Sequence, residues 1–225
     1  MSQIRVDDEI IVRIPTMYYE EPYFEWVQAN RDHLAKWLPF AAAAKTRAEV
    51  RMWLERRTSP EELESRIGGL IYWQGELVEA ANLKGVGSSD NAGELGFSLS
   101  ESAQGNGIAT RVCWKLIDIA FAEKDIHRVM IRGARENHRS RAIAERLGFT
   151  FEGFQREAAF LQGEYQDLAV YPCWRRSGQC SQRNLASCSP RLTRGFLAQS
   201  SFPKTNSVRR LHDFSFSASS DSSRD

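Results

Sequence analysis

Apolar positions along the chain change period several times between residues 9 and 174. Glu9–Ile14 (EIIVRI) is a short alternating run closed by Pro15, and it predicts a strand. Phe24, Val27, Leu34 and Leu38 form an imperfect helical stripe, which Pro39 is expected to stop. Thr46–Arg57 predicts a second helix: Val50, Trp53 and Leu54 share a face, and Thr46 and Glu49 have capping-box spacing. Two strands follow, GGLIYWQ (68–74) and ELVEAANLKGV (76–86), joined near Gly75 and Glu76. Ser88–Asn91 reads as a loop and Gly93–Ser100 (GELGFSLS) as another strand.

The second half is more regular. Ile108, Val112, Leu116 and Ala120 recur every four residues, with Ala109, Cys113 and Ile117 alongside, so a helix with a broad buried face runs to about Glu123. Ile126–Ala134 predicts a strand. Asn137–Leu147 predicts a helix closed by a left-handed Gly148. Phe149–Phe160 and Tyr165–Trp174 are long strands of a hairpin around Leu161–Glu164. This order implies an α+β domain: a mixed sheet with helices on both faces.

After Trp174 the pattern ends. Thirteen of the 49 residues 177–225 are serine, and Arg and Gln are scattered without period. The expected division is therefore a folded domain over 1–176 and a disordered Ser/Arg-rich tail over 177–225. An interaction tail for an anionic partner and read-through sequence are the alternatives.

Composition narrows the class. The chain has 225 residues, 42% hydrophobic and 26% charged, as in a globular protein. The net charge of +1 conceals an imbalance: residues 177–225 hold seven Lys/Arg against three Asp, so residues 1–176 are acidic by three charges. An acidic body disfavours a nucleic-acid footprint and weakly suits a cationic substrate. The start, MSQIRVDDEI, has no apolar secretory core, and no window holds 18 uninterrupted apolar residues. Neither export nor a membrane span is expected. No C-x-x-C pair or His/Cys cluster suggests zinc. The expected compartment is the cytoplasm.

Residues 104–110 (QGNGIAT) carry the chemistry. Glycine costs a helix roughly 1 kcal/mol relative to alanine. Two glycines directly before a helix therefore imply that free backbone N–H groups are needed there, for an anion. The Walker pattern fails because no Lys follows Gly107. The dinucleotide fingerprint fails because Thr110 stands at its last glycine, and the next strand carries Arg128 and Arg132 in place of a closing acid.

A third pattern fits. Q-x-x-G-x-A (Gln104, Gly107, Ala109) resembles the pyrophosphate loop of the GNAT superfamily, the acetyl-CoA-dependent N-acetyltransferases. GELGFSLSESAQGNGIAT resembles that family's strand-loop-helix and RGARENHRSRAIAERLGFTFEG its next unit. RDHLAKWLPF and the hairpin REAAFLQGEYQDLAVY resemble the branch that acetylates N-termini of ribosomal proteins. The resemblance spans about residues 5–174. It implies a mostly antiparallel sheet of about seven strands, splayed at the cofactor site.

It also implies roles. Acetyl-CoA is the expected donor, and no metal is expected. Gly105, Asn106, Gly107, Ile108, Ala109 and Thr110 would present amides to the pyrophosphate, with Gln104 and Leu99 beside the cofactor. In ENHRS, Asn137 would hold the CoA arm and Ser140 would protonate the leaving sulfur. As plain helix residues, Asn137 is an N-cap and Ser140 a first-turn serine. A backbone N–H of strand 95–100 would stabilise the oxyanion.

The base is left open among Glu94, Glu157 and water, because Ala159 stands where the branch carries a hairpin Glu. Trp37, Phe40 and Tyr165 are the expected acceptor-site residues, and the histidines are expected at surfaces. The implied acceptor is a protein N-terminal Ser or Ala amine. A small amine or antibiotic and a silent acyl-CoA-binding module are the alternatives. A monomer or homodimer is expected.

Overall fold

The computed structural model describes residues 3–175. The expectation of a disordered tail falls outside the described residues. The elements run β1 (Gln3–Arg5), β2 (Ile10–Arg13), α1 (Glu20–Leu34), α2 (Pro39–Ala43), α3 (Arg47–Arg57), α4 (Pro60–Glu64), β3 (Arg66–Trp73) and β4 (Glu76–Lys84). They continue β5 (Ala92–Phe97), α5 (Ile108–Glu123), β6 (Arg128–Ala134), α6 (His138–Arg146), β7 (Gly153–Leu161) and β8 (Glu164–Trp174). Eight strands form one sheet in the order β1-β2-β3-β4-β5-β6-β8-β7. This is one strand more than expected, because β1 is three residues long and too short to show a period.

Local signals are honoured with one correction. Thr46 caps α3 with its side chain while the Glu49 carboxylate returns to the Thr46 amide at 2.7 Å, a full capping box. Gly148 takes φ +84° after α6. Pro39, however, does not end a helix. Its fixed φ and missing N–H suit a first helical position, and it opens the short α2, while α1 has already ended at Leu34.

Two cores sandwich the sheet. On one face Ile108, Val112, Leu116 and Ala120 of α5 pack on Ile71, Leu83, Leu95, Val129 and Ile131. Each such aliphatic side chain contributes about 2 kcal/mol when fully buried. On the other face Tyr23 and Val27 of α1 and Val50 and Leu54 of α3 pack on Leu70 and Ala80. Leu70 and Ile71 are neighbours pointing to opposite faces, so β3 reads as an unbroken apolar run rather than an alternating one.

The pairing of β5 with β6 positions the site. It is the one parallel pair of the sheet and holds for three residue pairs, Ala92–Arg128, Gly93–Val129 and Glu94–Met130. Beyond Glu94, β5 stays paired to β4 through Leu95, Gly96 and Phe97. Beyond Met130, β6 stays paired to β8 as far as Ala134. The two strands part there, and each keeps an outer neighbour but loses the inner one.

Candidate active site

The helix α5 begins at the mouth of this opening. Gly107 is its N-cap in the left-handed conformation, at φ +70°, with no side chain capping the helix. Gly105 lies at φ +82°. A Cβ placed on either glycine would meet nothing within 4 Å. The loop therefore does not need glycine to avoid a clash with its own chain; its backbone faces open space. The first-turn amides of α5 have no intrahelical acceptors, and the helix dipole adds positive potential there. A diphosphate fits this cradle.

Cations absent from the sequence reading surround the loop. Arg111, buried in the first turn of α5, donates through Nη1 to Asp7 and Glu9, both at 2.9 Å, and through Nη2 to the Asn106 carbonyl at 3.4 Å. It ties the loop to the β1–β2 turn. Arg146 of α6 donates to the Thr110 hydroxyl at 3.2 Å. Arg139 donates to Gln104 Oε1. That bond orients the Gln104 amide, so Nε2 donates to His33 Nε2 at 2.8 Å and to the Leu99 carbonyl at 3.5 Å. His33 is thus part of the loop's support and not a bare surface residue.

The opening has a donor row. Ser98 and Ser100 donate their amides to Ala80 and Val78 of β4, each at 3.0 Å. By strand alternation Phe97 and Leu99 turn their N–H and C=O groups to the other side, into the gap left by β6. Leu99 itself is partly buried against the α5 core.

Asn137 and Ser140 stand across the gap. Asn137 Oδ1 accepts from the Ser140 amide at 3.1 Å, so Asn137 is the N-cap of α6 and keeps its NH2 group for another partner. The Ser140 hydroxyl hangs over Gly133 on β6, 3.2 Å from where a Cβ would be. Gly133 gives that hydroxyl its place against the unpaired edge.

The carboxylate candidates are placed unequally. Glu94 lies on the face away from α5, 30% exposed, with both oxygens held by Arg132: Nε to Oε1 at 3.2 Å and Nη2 to Oε2 at 2.9 Å. Glu157 does not lie in a regular strand register. The β7–β8 pairing shifts between Gln155 and Ala159, and Glu157 sits inside that irregularity at φ +49°, exposed, its N–H bonded to Asp167.

Phe40 stacks on Trp53 at 4.6 Å and on Tyr23 at 6.4 Å. Tyr165 is 69% exposed and meets Phe160 edge-on at 5.1 Å near the hairpin tip. Gln162 in that tip donates to the Lys36 carbonyl at 3.0 Å, which brings the hairpin to the loop holding Trp37. Among the described residues no group of three His, Cys, Asp or Glu could hold a metal ion, and no helix is long and apolar enough to cross a membrane.

Comparisons with known proteins agree with this architecture. Residues 10–150 match the family described as acetyltransferase (GNAT) domain. The putative ribosomal N-acetyltransferase YdaF of Bacillus subtilis is 31% identical over 178 residues, covering 78% of this chain and 97% of that protein. The ribosomal-protein-serine acetyltransferase of Escherichia coli is 22% identical over 75% of this chain and 94% of that one.

Among solved structures, a probable acetyltransferase superposes with TM-score 0.72 at 28% identity, covering 77% of this chain and 97% of that one. The microcin C7 self-immunity acetyltransferase MccE, in complex with acetyl-CoA and AMP, superposes with TM-score 0.72 at 25% identity, covering 77% and 96%. With the family matched over residues 10–150 of 225, this chain belongs to the GNAT acetyltransferases and is an acyltransferase.

Proposed function

We propose that this protein transfers an acetyl group from acetyl-CoA to a primary amine, and that the amine is the N-terminus of a protein of ribosomal type, with Ser or Ala first. The observation that carries the reading is the parting of β5 and β6 after the Glu94–Met130 pair, in front of the uncapped glycine start of α5. Relatives named as ribosomal-protein acetyltransferases, matched over nearly their whole length, support the acceptor class. The expected setting is the cytoplasm.

Acetyl-CoA supplies an activated thioester. The amides of residues 105–110 hold its diphosphate, with Arg139 and Arg146 at the flanks. Phe97 and Leu99 offer N–H groups to the carbonyl oxygen as negative charge develops on it. The Asn137 NH2, left over when Oδ1 caps α6, holds the amide arm. Ser140, at the open strand edge beside Gly133, gives its hydroxyl proton to the sulfur as that atom leaves. Trp37, Phe40 and Tyr165 border the approach of the acceptor. Orientation of amine and carbonyl in the gap supplies most of the acceleration, since such juxtaposition is worth about 7–11 kcal/mol.

The test is thiol release from acetyl-CoA by the full chain with Ser- and Ala-initiated peptides, N-acetylated peptides and spermidine. The reading expects turnover with free N-termini and none with blocked ones. Turnover confined to spermidine would replace the acceptor class.

A further inference from the structure

Glu79 is a carboxylate in a place that suits neither its charge nor its backbone. It is 3% exposed. Its φ is +135°, a region that a residue with a Cβ rarely adopts. The strain sits at a bulge, where the β3–β4 register jumps from Ile71–Glu79 to Tyr72–Leu77. The Tyr23 hydroxyl donates to Oε1 at 3.3 Å, and Oε2 is buried with no hydrogen-bond partner among the described residues. Strain, burial and an orphan oxygen each cost stability, and together they mark a site held for another purpose.

The position of Glu79 in the sheet indicates the purpose. The carbonyls on either side of it, Val78 and Ala80, accept from Ser100 and Ser98, so Glu79 lies across β4 from Leu99, one strand from the open edge of the gap. Ser98 is held beside Glu79 by its amide bond to the Ala80 carbonyl at 3.0 Å, and its influence on the carboxyl favours the ionised form. Tyr23 also stacks on Phe40, at the expected acceptor pocket. On this part of β5 and the residues after it, Gly96 is exposed and Ser98 half-buried, so an amine arriving there meets Ser98, with Glu79 on the next strand.

We propose that Glu79 is the proton acceptor for the acceptor ammonium, reached through the Ser98 hydroxyl. The proposal rests on the acetyltransferase reading above and names the base it needs. The nitrogen gives up two protons in all. One passes to Ser98 while Ser98 passes its own to Glu79, leaving a neutral amine. The nitrogen lone pair then forms the N–C bond as the C–S bond breaks, and the second proton ends on the sulfur. Nothing is oxidised or reduced, and Glu79 later returns its proton to solvent.

Burial pushes the Glu79 carboxyl up to about 8, opposed by the Tyr23 hydroxyl and by neighbouring Ser98, which gives it the proton affinity a base for an amine requires. The groups facing it are Tyr23 from α1 and Ser98 from β5, with Arg57 of α3 acting on Tyr23.

The experiment compares Glu79→Gln and Glu79→Gly with the wild type in the full chain, using a Ser-initiated peptide. Glu79→Gln should lower kcat by about 100-fold, with acetyl-CoA affinity unchanged. The same peptide begun by a less basic hydrazino nitrogen, already neutral at pH 7, should restore most of the loss. Glu79→Gly removes the φ strain, so its Tm should rise while kcat falls. Full activity in either variant overturns the proposal, as does an equal loss with both acceptors, which would make Glu79 structural. A wild type that binds acetyl-CoA but acetylates no amine removes the parent reading, and this proposal falls with it. Loss of acetyl-CoA binding in Glu79→Gln alone overturns only the assignment of Glu79.

Discussion

The Ser140 hydroxyl stands 3.2 Å from the point at which a side chain on Gly133 would begin, so one residue's missing Cβ fixes the other's place at the open strand edge. Two variants test that relationship. Ser140→Ala should lower kcat by about 10- to 100-fold and leave Tm nearly unchanged, because the helix cap is made by the Ser140 backbone amide and survives. Gly133→Ala should push the hydroxyl aside and lower kcat similarly, with acetyl-CoA affinity retained. Steady-state kinetics beside titration with acetyl-CoA checks both. An unchanged kcat in Ser140→Ala removes Ser140 as the acid.

Glu94 is expected to matter less than Glu79. Arg132 occupies both of its oxygens, and the pair is about a third exposed. Glu94→Gln should reduce kcat by less than about tenfold, well short of the loss at a committed base. As a partly exposed ion pair it should contribute no more than about 1 kcal/mol to stability. A double-mutant cycle with Arg132→Ala, read by urea unfolding and by kcat, measures both quantities.

Arg111 should govern the loop from beneath. Its side chain is 10% exposed and bonded to Asp7, Glu9 and the Asn106 carbonyl. Arg111→Ala should cost about 3 kcal/mol, at the low end for a broken buried pair because both carboxylates retain some water. Acetyl-CoA affinity should fall as well, since residue 106 loses its tether. Denaturant unfolding and calorimetric titration of the one variant check the two effects together.

Stability should depend on pH through Glu79. Its carboxyl is raised in the folded protein from 4.5 to about 8 by burial, so the unfolded chain ionises first. Across that window the folded state holds the extra proton, and its stability falls as pH rises, levelling off above about 8. Glu79→Gln should flatten this part of the profile. Urea midpoints for wild type and variant from about pH 5 to about pH 9 test the linkage.

Local chemistry was legible in the sequence. The Thr46–Glu49 capping box, the Asn137 cap and the glycine start of α5 each lie within four residues, and a short pattern encodes them. What joins distant segments was not. Arg111 reaches Asp7 across 104 positions, and Tyr23 reaches Glu79 across 56. Neither pair has a period. Glu79 in ELVEAANL carries no sign of burial, because the bulge that turns it inward depends on register with β3. The strand register around Glu157 was illegible for the same reason, since a register break in β7 carries no composition signal. Pro39 is legible both as a stop and as a start, and only the end of α1 at Leu34 decides between them.

The central claim is that the open cradle at Gly105 and Gly107 binds the diphosphate of acetyl-CoA. Calorimetric titration of the full chain and of Gly107→Glu with acetyl-CoA, with NADH and ATP as controls, tests it most directly. The account predicts saturable one-site binding of acetyl-CoA by the wild type, weaker or absent binding of the controls, and loss of binding in the folded variant. A Gly107→Glu protein that binds acetyl-CoA as tightly as the wild type would contradict it.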